Sequence, residues 1–135
     1  MKKDTANIIL QSHPMVDHLL STSLNGAKGR LHIKKDNLYN SHGHLGELGL
    51  IEHVIQCSIA KANYEKQRHG KITAIPAVGE IKRFALNFLP KIDETIESSI
   101  KLITRTKGAT NAIASIYVQG EVAATCRIRI TLKEQ

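Results

Sequence analysis

Imidazole and carboxylate side chains, the groups that most often move protons in enzymes, are concentrated between positions 42 and 53 of this chain. Histidine has an ordinary pKa of about 6.5, so the imidazoles of His42 and His44 suit proton transfer near neutral pH. Glu52 lies in a mostly apolar stretch, where a partly desolvated carboxyl group can hold a proton and donate it. General acid–base catalysis is therefore the chemistry that this segment indicates.

The pattern around Glu52 predicts one buried central helix. Over positions 48–62, apolar residues recur on most sides of a helix and charges are few. Gln56 lies one turn beyond Glu52, so its amide can either orient that carboxylate or bond to a backbone group. His53 follows the glutamate directly and is expected to face another side of the helix.

A metal site is the competing interpretation of the same segment. Its metal-binding side chains are those of His42, His44, Glu47 and His53. Their spacing matches no standard metal motif, and several of them fall in a predicted loop. We therefore expect no metal.

Alternating and β-branched stretches predict about five long strands around this helix. The predicted strand ranges are 30–34, 72–78, 80–88, 94–106, 111–118 and 122–132. The segment 15–20 is instead predicted to form a short helix or a turn. A curved antiparallel sheet wrapped around the helix would cover its apolar surface, so we predict an α+β fold and one domain over residues 1–135.

Composition narrows the class of protein. Hydrophobic residues make up 41% of the chain and charged residues 23%, an ordinary globular balance that disfavours disorder. No apolar run approaches the length of a membrane helix, so we expect no signal peptide or membrane anchor and a cytoplasmic location. Cys57 and Cys126 lack CxxC spacing and lie in apolar patterns, which predicts core residues rather than a disulfide.

The charge balance predicts an acidic partner. A net charge of +7 fits nucleic acid, a membrane surface or an acidic carrier protein. Aromatic residues are only 4% of the chain and are not interleaved with the basic ones, which disfavours nucleic acid.

Several motifs are spread over nearly the whole chain. They are a His-Pro before Val-Asp in 13–18, the residues up to His42 in 38–42, the helix start with Glu52 in 49–56, and two strand motifs in 79–84 with 89–90 and in 119–123. Together these segments resemble the 3-hydroxyacyl-[acyl carrier protein] dehydratases of fatty-acid synthesis.

The resemblance implies a hotdog fold and a set of site residues. It implies that His42 is the catalytic histidine and that Glu52 is the catalytic acid that binds the substrate hydroxyl. Because the loop between them is short, His44 could reach Glu52 in place of His42, and we rank His53 third. Gly49, Gln56 and Phe84 match positions that we expect to bind substrate.

The implied reaction is dehydration of a (3R)-3-hydroxyacyl thioester to the trans-2-enoyl thioester. A base removes the proton beside the carbonyl, an acid protonates the leaving hydroxyl, and negative charge builds on the thioester oxygen. The substrate would be carried on the phosphopantetheine arm of acyl carrier protein, with no other cofactor. The basic residues expected to attract that acidic carrier are Lys34, Lys35, Lys82 and Arg83.

The resemblance also implies a dimer in which each site takes His42 from one protomer and Glu52 from the other. One feature departs from the family: the loop between these residues is shorter and lacks the family's prolines. Two alternatives therefore stay open. One is a non-catalytic acyl-binding subunit that pairs with an active dehydratase, and the other is an acyl thioesterase in which Glu52 activates water.

Overall fold

The computed structural model of the protein describes residues 13–69, 74–106 and 108–134. The helix of these ranges, α1, covers Glu47–His69 and therefore starts one residue before the predicted range and continues past its predicted end. The strands are β1 (His18–Ser23), β2 (Gly26–His32), β3 (Asn40–Ser41), β4 (His44–Leu45), β5 (Ala74–Leu86), β6 (Thr95–Thr106), β7 (Ala109–Val118) and β8 (Glu121–Glu134).

Six of the strands form one antiparallel sheet in the order β1-β2-β6-β7-β8-β5, and β3 pairs with β4 in a separate hairpin. The helix packs against this sheet through contacts with β5, β2, β1 and β6. This arrangement confirms the predicted α+β class, with an antiparallel sheet around one helix. The β7–β8 turn is as predicted, since Gln119 and Gly120 have φ angles of 50° and 82°, as a two-residue hairpin turn requires.

The core follows from the alternation of side chains along the strands. On β8, Cys126 and Ile128 are buried whereas Arg127 and Arg129 between and beyond them are exposed, which is the period of two that a half-buried strand shows. The buried cluster joins these strands to the helix through residues such as Val54. Both cysteines are buried and free, as predicted, and burial raises the pKa of each thiol to about 11.

Two predictions about local structure are wrong. The segment 15–20 does not form a helix or a turn, because from His18 onward it pairs with β2 as an edge strand, with an irregularity between Leu19 and Ser21. The apolar residues of this short segment show neither a helical nor a strand period, and a sequence pattern separates helix from strand least well in such segments. The ranges 72–78 and 80–88, predicted as two strands, form one long strand, β5, in the described part of the chain. Irregularities near Glu80 and Arg83 bend this strand without ending it.

The helix is not covered all around by this chain. Leu48 in its first turn is 71% exposed, and Leu38 just before the β3–β4 hairpin is 77% exposed. These side chains leave apolar surface beside the start of α1. The described helix is not long and apolar enough to cross a membrane.

Candidate active site

The β3–β4 hairpin fixes where α1 begins. The Gly46 N–H donates to the Tyr39 carbonyl at 2.9 Å, and the Gly49 N–H donates back to the Gly46 carbonyl at 3.0 Å. A side chain at Gly49 would place its Cβ 2.6 Å from Leu45 Cδ1 and 2.8 Å from Tyr39 Cβ, closer than such atoms approach. Gly49 therefore allows hairpin and helix to touch, and its expected contact with substrate stays a prediction.

Glu52 and Gln56 form a hydrogen-bonded pair on one side of α1. Both side chains are half-buried. The Gln56 Nε2 donates to Glu52 Oε1 at 3.1 Å and to the His13 carbonyl at 2.9 Å, while Gln56 Oε1 accepts the Met15 N–H at 2.7 Å. Both alternatives that the sequence left open for Gln56 are therefore realised, since it bonds to the carboxylate and to the backbone.

These contacts fix the orientation of the Gln56 amide. A backbone N–H can only donate, so the oxygen of the amide must face Met15. The NH₂ group must then face the His13 carbonyl and the Glu52 carboxylate, both of which accept. The segment 13–15 thus decides which end of Gln56 meets Glu52.

The charge of Glu52 also acts on a phenol. Tyr39 is half-buried, and burial together with the negative charge of Glu52 raises its pKa above the usual value. Its ring meets the imidazole of His13 edge-on, with centroids 6.4 Å apart. In the sequence, Tyr39 and His13 stand out only as members of motifs, and the polarity of Tyr39 was the available sign of a role beyond packing.

The two histidines expected to act as base lie on the hairpin. His42 and Gly43 have φ angles of 53° and 82°, which make a tight two-residue turn between β3 and β4. The exposed His42 ring places Nδ1 2.8 Å from the Ser41 hydroxyl, and His44 Nδ1 lies 3.0 Å from the His42 carbonyl. In the part of the chain that the structure describes, neither imidazole is hydrogen-bonded to Glu52.

His53 faces another side of α1, as the helical spacing predicts. It is fully buried, with Nδ1 2.6 Å from the Met15 carbonyl and Nε2 3.0 Å from the Ser98 hydroxyl. Burial is the main effect on its pKa, which lies below the ordinary histidine value. Within residues 13–69, 74–106 and 108–134, no group of three His, Cys, Asp or Glu side chains is placed to hold a metal ion.

The remaining predicted residues lie on β5 and on a loop. Phe84 is half-buried and packs against the core. Lys82 pairs with Glu80 at 3.5 Å at the rim of a hollow of about 330 Å³ on the outer face of the sheet. Three arginines also line this hollow, which is called the outer basic groove below: Arg83, Arg127 and Arg129. Lys34 and Lys35 are exposed after β2 and are not among its lining residues.

The chain matches no protein-family model and no curated protein by sequence. Solved structures do match it. A chain of the dehydratase heterocomplex ApeI:P from Xenorhabdus doucetiae is 13% identical, with a TM-score of 0.80 over 90% of this chain and 84% of that chain. Smu.793 from Streptococcus mutans UA159, bound to acetyl CoA, is 8% identical, with a TM-score of 0.71 over 93% and 96%.

A hypothetical thioesterase from Streptococcus pneumoniae TIGR4, solved with coenzyme A, is 7% identical, with a TM-score of 0.67 over 87% of this chain and 86% of that chain. At these identities the likeness concerns the fold. Together with the six-stranded antiparallel sheet and its single described helix, it confirms the predicted hotdog fold.

Proposed function

We propose that this protein dehydrates a (3R)-3-hydroxyacyl thioester carried on acyl carrier protein, forming the trans-2-enoyl thioester. The observation that carries the proposal is the half-buried Glu52 side chain, whose Oε1 accepts a hydrogen bond from Gln56 Nε2 at 3.1 Å. A hotdog fold with this arrangement at the start of its helix supplies the acid that such a reaction needs. The motif resemblance and the structural likeness to a dehydratase heterocomplex support the same reaction.

In the proposed reaction, a base takes the proton from the carbon beside the thioester carbonyl. The electron pair of that C–H bond forms the new double bond, and the C–O bond to the hydroxyl breaks. Glu52 delivers its proton to the departing oxygen, so that water leaves. Since Gln56 donates to Oε1 of Glu52, the other carboxyl oxygen is the one we assign to the substrate hydroxyl.

The proposed base is His42, supplied by a second subunit. In this chain His42 projects on an exposed turn, and apolar surface at Leu38 and Leu48 lies uncovered beside the helix start. A dimer that covers this surface would bring the turn of one protomer to the carboxylate of its partner. His44, half-buried on the same hairpin, is the substitute base.

The proposed carrier is acidic, and the protein has the complementary charge. The outer basic groove contains four cationic side chains and one carboxylate, that of Glu80. In the sheet, Lys82 lies directly opposite Arg127, so like charges face each other here even though Glu80 pairs with Lys82 at 3.5 Å. We assign carrier-protein docking to this groove, in place of the exposed Lys34 and Lys35. The pathway would be fatty-acid synthesis or a related polyene or polyketide synthesis in the cytoplasm.

A second candidate function is that of a non-catalytic subunit that pairs with an active dehydratase. The observation that favours it is the tight His42–Gly43 turn, in which the imidazole of His42 bonds to the neighbouring Ser41. A matching structure described as a heterocomplex is consistent with this candidate.

The test is to incubate the purified protein with a 3-hydroxyacyl carrier-protein substrate and to follow the acyl group by mass spectrometry. Loss of water supports the proposed dehydration. An unchanged substrate contradicts it and favours the non-catalytic subunit. Release of free acid also contradicts it, and would identify a thioesterase such as the one described for a similar structure.

A further inference from the structure

A network of buried polar groups, linked by hydrogen bonds, lies on the sheet side of α1 and has no part in the reaction proposed above. Its members are His53, Cys57, Ser98 and the backbone carbonyl of Met15. The side chains of His53 and Cys57 are fully buried, and Ser98 is 2% exposed. Polar groups this deep in a core are costly unless each one is bonded, so their arrangement needs an explanation.

Two groups lie near His53 Nε2, the Ser98 hydroxyl at 3.0 Å and the Cys57 Sγ at 3.8 Å, and we assign the hydrogen bond to the closer one. A carbonyl only accepts, so His53 Nδ1 must carry the hydrogen that meets the Met15 oxygen at 2.6 Å. Burial keeps the imidazole neutral by lowering its pKa, so Nε2 accepts from the Ser98 hydroxyl at 3.0 Å. The Cys57 thiol, whose pKa burial raises to about 11, then donates to the Ser98 oxygen at 3.3 Å. Every ring nitrogen of His53 is satisfied.

Met15 connects this buried network, through Gln56, to Glu52. Its carbonyl accepts from His53, and its N–H donates to Gln56 Oε1 at 2.7 Å. Two side chains of one helix, His53 and Gln56, therefore hold opposite sides of the same residue. Because the Met15 N–H decides the orientation of the Gln56 amide, anything that moves Met15 frees that amide to turn. A turned amide would present its oxygen to Glu52, where it would accept the acidic proton that the proposed reaction delivers to the substrate.

We propose that His53 is a positioning residue: through Met15 and Gln56, its Nδ1–H holds the Glu52 carboxyl in the orientation that the reaction uses. The proposal rests on the function proposed above, in which Glu52 is the acid. Small displacements of a catalytic group are expensive, with about 1 Å worth up to 10²-fold in rate. Met15, itself fully buried, also accepts at its sulfur from Asn37, which adds to the fixed position of the segment.

Two substitutions at His53 separate positioning from general stability. In His53→Asn the amide nitrogen can take the place of Nδ1 and keep the bond to Met15, whereas in His53→Gln the amide reaches toward the place of Nε2 and Ser98. Each variant therefore keeps one hydrogen-bond partner of His53, Met15 or Ser98, and loses the other. We expect His53→Gln to lower kcat about 10- to 100-fold with little change in KM, and His53→Asn to stay within a few-fold of the wild type.

Hydrogen exchange of the Met15 amide tests the positioning without any turnover. It should accelerate strongly in His53→Gln and only slightly in His53→Asn. Unaltered exchange in His53→Gln would overturn the proposal, and so would equal losses of kcat in two equally stable variants. If the wild type proves inactive but the exchange pattern holds, the dehydratase function fails while the His53 link to Met15 stands.

A milder variant keeps the test valid if neither substitution folds. Ser98→Ala removes the hydroxyl that donates to Nε2 and leaves the Nδ1–H bond to Met15 in place. Because the bond that holds Met15 remains, Met15 exchange should stay close to that of the wild type, as in His53→Asn. A strong acceleration of Met15 exchange in a folded Ser98→Ala variant would overturn the proposal, since Ser98 and not the Nδ1–H bond would then hold Met15. The matched control is Ser99→Ala, next to it on β6 and partly exposed.

Discussion

Two pairs of residues on the same helix, each spaced by four positions, have opposite environments. Glu52 and Gln56 are half-buried, and Gln56 bonds to the segment 13–15, whereas His53 and Cys57 are fully buried against Ser98 of the sheet. The pairs are offset by one residue, which rotates them by about 100° around the helix axis. Residue type alone would favour His53 as a proton-transfer group over Glu52.

The difference shows that free bonding capacity, more than residue type, marks a reactive group. Both nitrogens of His53 are bonded inside the core, so the imidazole has no nitrogen left for a substrate. Glu52 has one oxygen bonded to Gln56, and its side chain is half-buried. In the proposed reaction the half-buried side of α1 supplies the acid, while the buried side holds the segment that orients it.

The largest effect is expected at the reactive pair. Glu52→Gln removes the acidic proton with little change in shape, so dehydration should fall by about 10² to 10⁴ while the free energy of unfolding changes little. Glu47→Gln, at an exposed position in the first turn of the same helix, is the matched control and should keep full activity. Equal rates in Glu52→Gln and the wild type, measured by mass spectrometry, would remove Glu52 from the mechanism.

A substitution that displaces the buried pair, His53 and Cys57, should lower the free energy of unfolding. A Cβ at Gly29 would lie 2.3 Å from Cys57 Sγ, so Gly29→Ala must push the thiol and its bond to Ser98 out of place. We expect a loss of about 1–3 kcal/mol in the free energy of unfolding, measured with guanidinium chloride.

The same substitution in a Cys57→Ala background removes the clash. Gly29→Ala should then cost much less than it does in the wild type, which is the signature of two residues in contact. An equal cost in both backgrounds would show that the close approach of Gly29 to Cys57 is not what constrains this site.

The smallest expected effect is a pH dependence of the free energy of unfolding, which we assign to His53 of the buried pair. Burial lowers the pKa of His53 in the folded protein, against smaller opposing effects of the Met15 carbonyl and Asp17. Below about pH 6.5 the unfolded chain takes up a proton at this residue that the folded protein excludes, so stability falls as pH falls.

Over one pH unit below that value the loss is at most about 1 kcal/mol, and His53→Asn should lack it. The measurement is guanidinium unfolding of both proteins at pH 7.5 and 5.5. The same pH dependence in both proteins would assign the effect to other groups.

The sequence was sufficient for the helix and for the Glu52–Gln56 pair, because both depend on local spacing. It could not reveal that His53 bonds to Met15 and Ser98, which are 38 and 45 residues away along the chain. Ser98 occupies an inward position on β6 that the alternation of the strand would assign to an apolar residue, and this mismatch was the available sign. The His42 turn was visible as a short loop, but its exposure depends on the packing of the hairpin.

The most direct test of the proposed site mixes two inactive variants. His42→Ala and Glu52→Gln are each purified, confirmed to fold, then unfolded together and refolded. If each site takes one residue from each protomer, half of the dimers are mixed and each has one intact site, so dehydration should return to about a quarter of the wild-type rate. No recovery from two folded variants, beside an active wild type, would contradict a site shared between His42 of one protomer and Glu52 of its partner.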